Sequence, residues 1–276
     1  VPDGPRREVV IEPDPLDLPP GMELVLRSPR FEIHTDHPAA AAAHHQRVLE
    51  GLCAWFDEHW FPVPWKEPLR VLLFADSQRM TAWSEARGLD KAWGRYIPEW
   101  NLIAIDLSTG LGTALHELVH CFQHRACAHP RTTFVEEGVA SFFEKFLGHI
   151  DDAGRVELTV GYFSWWRFAE AKQKHRGVDL ATQWRATGED FDDALAYSFM
   201  LFLHRNGWFS PFVRALLTTT GDGQKELEAI SGRTIAQLDT EWHTWIDAQE
   251  VVVGGDMFLV EKSFVVEAAE WQQWLT

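Results

Sequence analysis

One short segment constrains this chain more than any other: His116-Glu117-Leu118-Val119-His120, set in the apolar stretch Leu115 to Phe122. Its apolar spacing reads as a helix. Residues four apart on a helix share a face. His116 and His120 therefore aim two imidazoles at one point, as a tetrahedral Zn²⁺ requires of its first two ligands. Glu117 lies on the flank, placed to take a proton from an activated water.

A second helix is expected soon after. Phe134 to Glu144 carries apolar residues at helical spacing, and the polar connection from Arg125 to Thr133 contains Pro130 as a breaker. Two such helices pack antiparallel. That arrangement brings an early carboxylate of the second helix over the histidine pair. Glu136 and Glu137 both qualify by position, but they stand about 100° apart around the helix, so only one faces the histidines. Glu144, two turns further on, is either an outer partner of a ligand histidine or a solvated helix charge.

The run Glu137-Gly138-Val139-Ala140-Ser141-Phe142-Phe143-Glu144, following H-E-x-x-H by a short connection, resembles the gluzincin zinc metallopeptidases. The likeness is to the peptidase MA-like family and the aminopeptidase N-type branch. It implies one Zn²⁺ per chain held by His116, His120 and Glu137, the glutamate before the glycine, with Glu117 as general base. It also implies a thermolysin-like α+β fold and a peptide or protein substrate. Tyr197-Ser198, in the helical segment Asp192 to Leu203, matches the setting of the tyrosine that stabilises the oxyanion in aminopeptidase N-type enzymes. Ser231 to Leu238, running on to Glu241-Trp242, resembles the C-terminal helix of the peptidase MA-like family, anchored there by a leucine and a tryptophan. The likeness spans roughly residues 28–248, weakly in the sheet and specifically in the two metal helices.

Two departures limit it. A metzincin would place glycine and histidine where Gln123 and Ala126 stand, and His124 reads as a polar residue one turn beyond the site. The Gly-Ala-Met-Glu-Asn segment that holds a substrate amine in aminopeptidases is missing. Pro98-Glu99-Trp100-Asn101 occupies the corresponding region, with Glu99 as a turn residue. Endopeptidase and exopeptidase action both stay open.

Upstream, Phe31–Asp36, Leu69–Ala75 and Asn101–Leu107 read as strands, with helices over Ala39–Trp60 and Ser77–Arg87 between them. Gly94–Ile97 or Asn101–Leu107 is expected to form a cleft-lining edge to which a peptide can add as a strand. Helices are expected over Gly161–His175, Ser210–Thr219, Asp222–Ile230 and Thr234–Gln249. The chain divides into an extended arm (1–21), a sheet and helix part (22–109), a helical metal-binding part (110–249) and a tail or hairpin (250–276). The arm, holding six of the 14 prolines, reads as an extended or processed remnant. The loops around Ala126–Thr133 and Leu147–Val160 carry no readable code.

With 276 residues, 46% of them hydrophobic, the chain buries a sizeable core without disulfides. No run of 18 apolar residues occurs, which excludes a membrane-spanning helix. A net charge of −16 argues against nucleic acid, whose phosphates such a surface repels. Cys53, Cys121 and Cys127 form no even framework and no C-x-x-C zinc site. Cys53 reads as core, and Cys121 points away from the metal. This usage suits a cytoplasmic or an extracytoplasmic compartment. Most of the 14 tryptophans are read as packing, with some available to line a cleft. Two other classes compete: a zinc-stabilised binding module without turnover, and a helical protein whose H-E-x-x-H is coincidental.

Overall fold

Apolar runs in the first part of the chain build a five-stranded mixed sheet. A computed structural model describes residues 18–127, 131–151, 155–161, 163–187 and 190–249. Most of the expected arm (1–17), the loop residue His129 and the tail from 250 lie outside them. The strands are β1 (Leu24–Arg27), β2 (Phe31–Thr35), β3 (Leu69–Phe74), β4 (Gly94–Ile97) and β5 (Leu102–Asp106). Their order is β1-β2-β3-β5-β4. β2, β3 and β5 run parallel, with Ile33 beside Val71 and Val71 beside Ile103, while β1 and β4 are antiparallel edges. Helices α1 (Ala39–His59) and α2 (Ser77–Glu85) lie between the strands in sequence.

Both faces of the sheet are covered, which is why β3 and β5 are almost continuously apolar. Alternation sorts their side chains. Ile33, Val71, Leu73, Ile103 and Ile105 join Leu52 and Phe56 of α1 in the main core, whereas Leu72, Phe74, Leu102 and Ala104 pack with Met80 and Trp83 of α2. Cys53 and Cys121 are both buried in the main core.

The remainder is mostly helical: α3 (Leu111–Ala126), α4 (Thr133–Phe143), α5 (Trp165–Lys174), α6 (Leu180–Gln183), α7 (Asp193–Arg205), α8 (Phe209–Leu216), α9 (Gln224–Ser231) and α10 (Ile235–Ala248). The starts of α4, α7 and α10 carry side-chain caps from Thr132, Asp192 and Thr234, the last as a reciprocal box with Gln237. α4 packs on α3 and α7, and α7 also takes α5 and α10. Trp242 of α10 is fully buried against Phe199 and donates its indole N–H to Ser198 Oγ at 3.2 Å.

Gly138 sets the closeness of α4 to α7. A Cβ there would stand 3.0 Å from both the main-chain oxygen of Ala196 and Cγ of Met200. Gly138→Ala is expected to lower stability by about 1 kcal/mol. Overpacking against a backbone atom costs about 1–3 kcal/mol, more than the roughly 1 kcal/mol that alanine gains in a helix. Denaturant unfolding measures it, and an unchanged midpoint would refute the close packing.

Two sequence expectations need correction. Leu147–Val160, expected as a loop, contains an antiparallel hairpin of β6 (Phe146–Ile150) and β7 (Val156–Val160). Its strands are too short to stand out in sequence, although Val156–Val160 alternates between more and less buried positions. α5 begins at Trp165 rather than Gly161, because Gly161 sits at φ +83°, in the left-handed region a right-handed helix excludes. No sequence signal marks β1, because Leu24-Val25-Leu26-Arg27 is only four residues long and does not alternate. Of the two segments expected to supply the edge, Gly94–Ile97 does so, as β4.

Candidate metal centre

α3 carries His116 and His120 one turn apart, and α4 lies across them with Glu137. Nε2 of His116, Nε2 of His120 and Oε2 of Glu137 form a triangle with sides of 2.9, 3.2 and 3.5 Å. Zinc bonds of about 2.0–2.2 Å in tetrahedral geometry require ligand edges of about 3.3–3.5 Å. The triangle is close to one face of that tetrahedron, so the donor set fits a small divalent cation. Among the described residues it is the one group of three histidine, cysteine or acidic side chains whose ligand atoms converge in this way. The Glu137 side chain is 32% exposed against 13% for His116, so the site opens on its carboxylate side.

Glu136 turns elsewhere. Its carboxylate accepts the Arg131 main-chain N–H at 3.1 Å, and its carbonyl accepts from Gln123 Nε2 at 3.0 Å. The adjacent glutamates are thus divided by helix rotation, one to the connection and one to the histidines. His124 also stays out of the triangle and meets the Tyr96 hydroxyl at 3.2 Å through Nδ1.

Behind the triangle stands a charged pair, of which the sequence discloses only one member. Glu144, the residue ending α4, brings Oε1 within 2.8 Å of His116 Nδ1, at an angle short of a straight hydrogen bond. This leaves Nε2 as the nitrogen facing the triangle, the arrangement in which an outer carboxylate orients a metal-binding imidazole. Arg167 of α5 grips Glu144 with two contacts, Nε to Oε2 at 3.0 Å and Nη2 to Oε1 at 2.7 Å, and also bonds Asp193 at the start of α7. Glu144 was legible as an outer-partner candidate. Arg167 had no signal, because its relation to Glu144 exists only once the β6–β7 hairpin returns the chain to α4.

Glu117 is almost buried, at 7% exposure, between α3 and the edge strand. Asp106 donates its main-chain N–H to Trp93, and the register pairs Gly94 with Ile105. By the alternation of an antiparallel ladder, Gly94 and Tyr96 turn their main-chain groups to the open edge. The Tyr96 N–H there bonds the Glu117 carboxylate. Gly94 makes room for it: a Cβ at that position would come within 2.7 Å of Glu117 Cγ and Oε1.

Tyr197 lies on α7, fully buried, and its oxygen accepts the Ser164 main-chain N–H at 2.6 Å. It stands close enough to Glu144 and Arg167 for both charges to act on the phenol, while burial raises its pKa.

The centre has an excess of negative charge. Burial pulls the His116 pKa down, but Glu137, Glu144 and Glu117 together raise it to about 10. Burial raises Glu137, and its contacts with His116 and His120 overcome this to hold it well below the usual carboxylate range. Glu117 is raised, chiefly by burial, with the two histidines pulling the other way. A cation therefore belongs here, either a proton on His116 or a metal. With His116 raised above its ordinary 6.5, the stability it contributes to the metal-free protein is complete below about pH 6.5 and lost as pH rises through about 10. The metal-free protein is expected to melt at lower temperature at pH 10 than at pH 6.5. For the same reason zinc loading at pH 7 should release about one proton. Calorimetric titration in buffers of different ionisation enthalpy measures that proton, and zero release would contradict the charge balance.

No protein-family model matches the chain, and no curated protein matches it significantly.

Proposed function

We propose that this chain is a zinc-dependent metallopeptidase of the gluzincin type, with a thermolysin-like arrangement of sheet and metal helices. The observation carrying this reading is the His116–His120–Glu137 triangle beside a buried Glu117 at the open edge of a sheet. A binding site alone needs the triangle; it has no need of a carboxylate beside it, desolvated and raised in pKa.

In this reading His116, His120 and Glu137 hold the metal, and the Arg167–Glu144 pair fixes the ring of His116. Zn²⁺, when bound, lowers the pKa of water and polarises a carbonyl. Glu117 accepts the proton of the attacking water and passes it to the nitrogen of the leaving amine. The main-chain groups of Gly94 and the carbonyl of Tyr96, whose N–H is held by Glu117, face the edge, where an extended peptide adds as a strand and its scissile carbonyl is oriented without reading side chains. Tyr197 is assigned, from the resemblance, to donate its hydroxyl to the developing oxyanion.

The test is elemental analysis of the purified chain followed by a screen against a peptide library. About one zinc per chain with cleavage of some peptides supports the reading. Zinc without any turnover would favour the binding module, and absence of zinc would remove both. Tyr197→Phe should lower kcat by about 10²–10³-fold with KM little changed, the effect of deleting one oxyanion donor. Unchanged kcat would remove Tyr197 from the chemistry.

A further inference from the structure

We infer that a hollow at the C-terminal end of α3, lined by Lys66, His124 and Arg125, binds a carboxylate of the substrate. The carboxylate belongs either to a peptide's C-terminus or to an acidic side chain. The inference rests on the peptidase reading and deepens it by assigning a substrate class.

The hollow has a volume of ≈ 260 Å³, and Glu67, Tyr96 and Asn101 also line it. It adjoins the metal centre through two elements. His124 is four residues beyond His120 on α3, about 6 Å along the axis. Tyr96 of β4 meets Glu117 through its main-chain N–H and His124 through its hydroxyl at 3.2 Å. A peptide added along the open edge of β4 is thereby led from the general base toward the hollow.

Its charge runs against that of the molecule. Over the whole chain 41 acidic residues outnumber 25 basic ones, yet the lining of the hollow holds Lys66 and Arg125 against the single acidic residue Glu67, with His124 as a further nitrogen. Arg125 is also held in place. Its guanidinium stacks over Trp65 at 4.7 Å, Nη2 bonds Asn101 Oδ1 at 2.5 Å, and Nη1 reaches the Glu67 carbonyl at 3.5 Å. These partners are a ring, an amide oxygen and a main-chain oxygen, none of them charged. They orient the cation without neutralising it. A preoriented guanidinium, with a lysine in the same lining, suits the planar, two-oxygen geometry of a carboxylate. Little ordering entropy remains to be lost on binding.

The experiment measures binding of three fluorescent peptides with one common core to the full-length Glu117→Gln chain. One ends in a free carboxylate, one in an amide, and one in an amide with a glutamate near its end. At least one carboxylate peptide is expected to bind about tenfold tighter than the neutral one, as a charge-assisted contact provides. Which of the two does so identifies the source. The preference should shrink in Lys66→Met and in Arg125→Gln, and also in high salt. Lys66 is exposed, so its removal reports on charge even where loss of Arg125 disturbs packing on Trp65. Equal binding of all three peptides, or a preference surviving both substitutions, overturns the inference. Zinc content and hydrolysis by the parent chain separate the two readings. Turnover without a carboxylate preference removes the subsite alone. A carboxylate preference without zinc removes the peptidase reading and leaves the hollow as an anion site.

Discussion

Glu117→Gln is expected to keep one zinc per chain and to lose hydrolysis by about 10²–10⁴-fold, the contribution of a well-placed general base. The carboxamide has the size and outline of the carboxylate it replaces. It can still accept the Tyr96 N–H, and it still fits against Gly94, where no Cβ intrudes. What it lacks is basicity. Burial raises the Glu117 pKa, which makes the ionised form a better proton acceptor than an exposed glutamate. The same burial means that removing the charge removes a desolvation cost, so the variant should be at least as stable as the parent. Elemental analysis, a melting curve and kcat/KM on the same preparation test all three statements. An active variant with normal zinc would take Glu117 out of the mechanism and leave the metal centre without a base.

His116→Ala and Glu137→Ala are expected to abolish stoichiometric zinc, each removing one corner of the triangle. Two remaining protein ligands hold zinc far more weakly than three. Glu144→Gln provides the graded comparison, because it leaves the triangle complete and weakens only the orientation of His116. Loss of such an outer partner typically weakens metal binding about 10–100-fold. His116→Ala should also destabilise the metal-free protein at neutral pH, by about 3–5 kcal/mol if Glu137 and Glu144 stay ionised. Those carboxylates then lose the imidazolium they share. Glu144 retains Arg167, so the larger share of this cost falls on Glu137. Zinc titration by competition with a chelator ranks the variants. Equal affinity in His116→Ala and the parent would place the metal elsewhere.

Much of the candidate site is legible in the sequence. The i, i+4 spacing puts His116 and His120 on one face of any helix they occupy, so local geometry alone pairs them. Adjacent Glu136 and Glu137 lie apart around α4 for an equally local reason, but helix geometry does not say which one faces α3. The resemblance chose Glu137, and the structure brings Glu137 to the histidines and Glu136 to Arg131. Strands β3 and β5 are readable because burial on both faces makes them almost wholly apolar, and β2 because Phe31-Glu32-Ile33-His34 alternates. The β6–β7 hairpin is not, since β7 buries only Val156 and its composition differs little from that of a loop.

Sequence by itself therefore determined the features that repeat at the period of a helix or a strand: the histidine pair, the carboxylate helix, the apolar strands and their capped neighbours. Only the tertiary structure decided which groups from distant segments meet. It set Gly94 and Tyr96 of the edge strand against Glu117, Arg167 against Glu144, and Arg125 between Trp65 and Asn101. The physical reason is range. A side chain's periodic neighbours follow from backbone geometry, whereas these contacts depend on how whole elements pack, to which every buried residue contributes a little and none contributes a readable pattern.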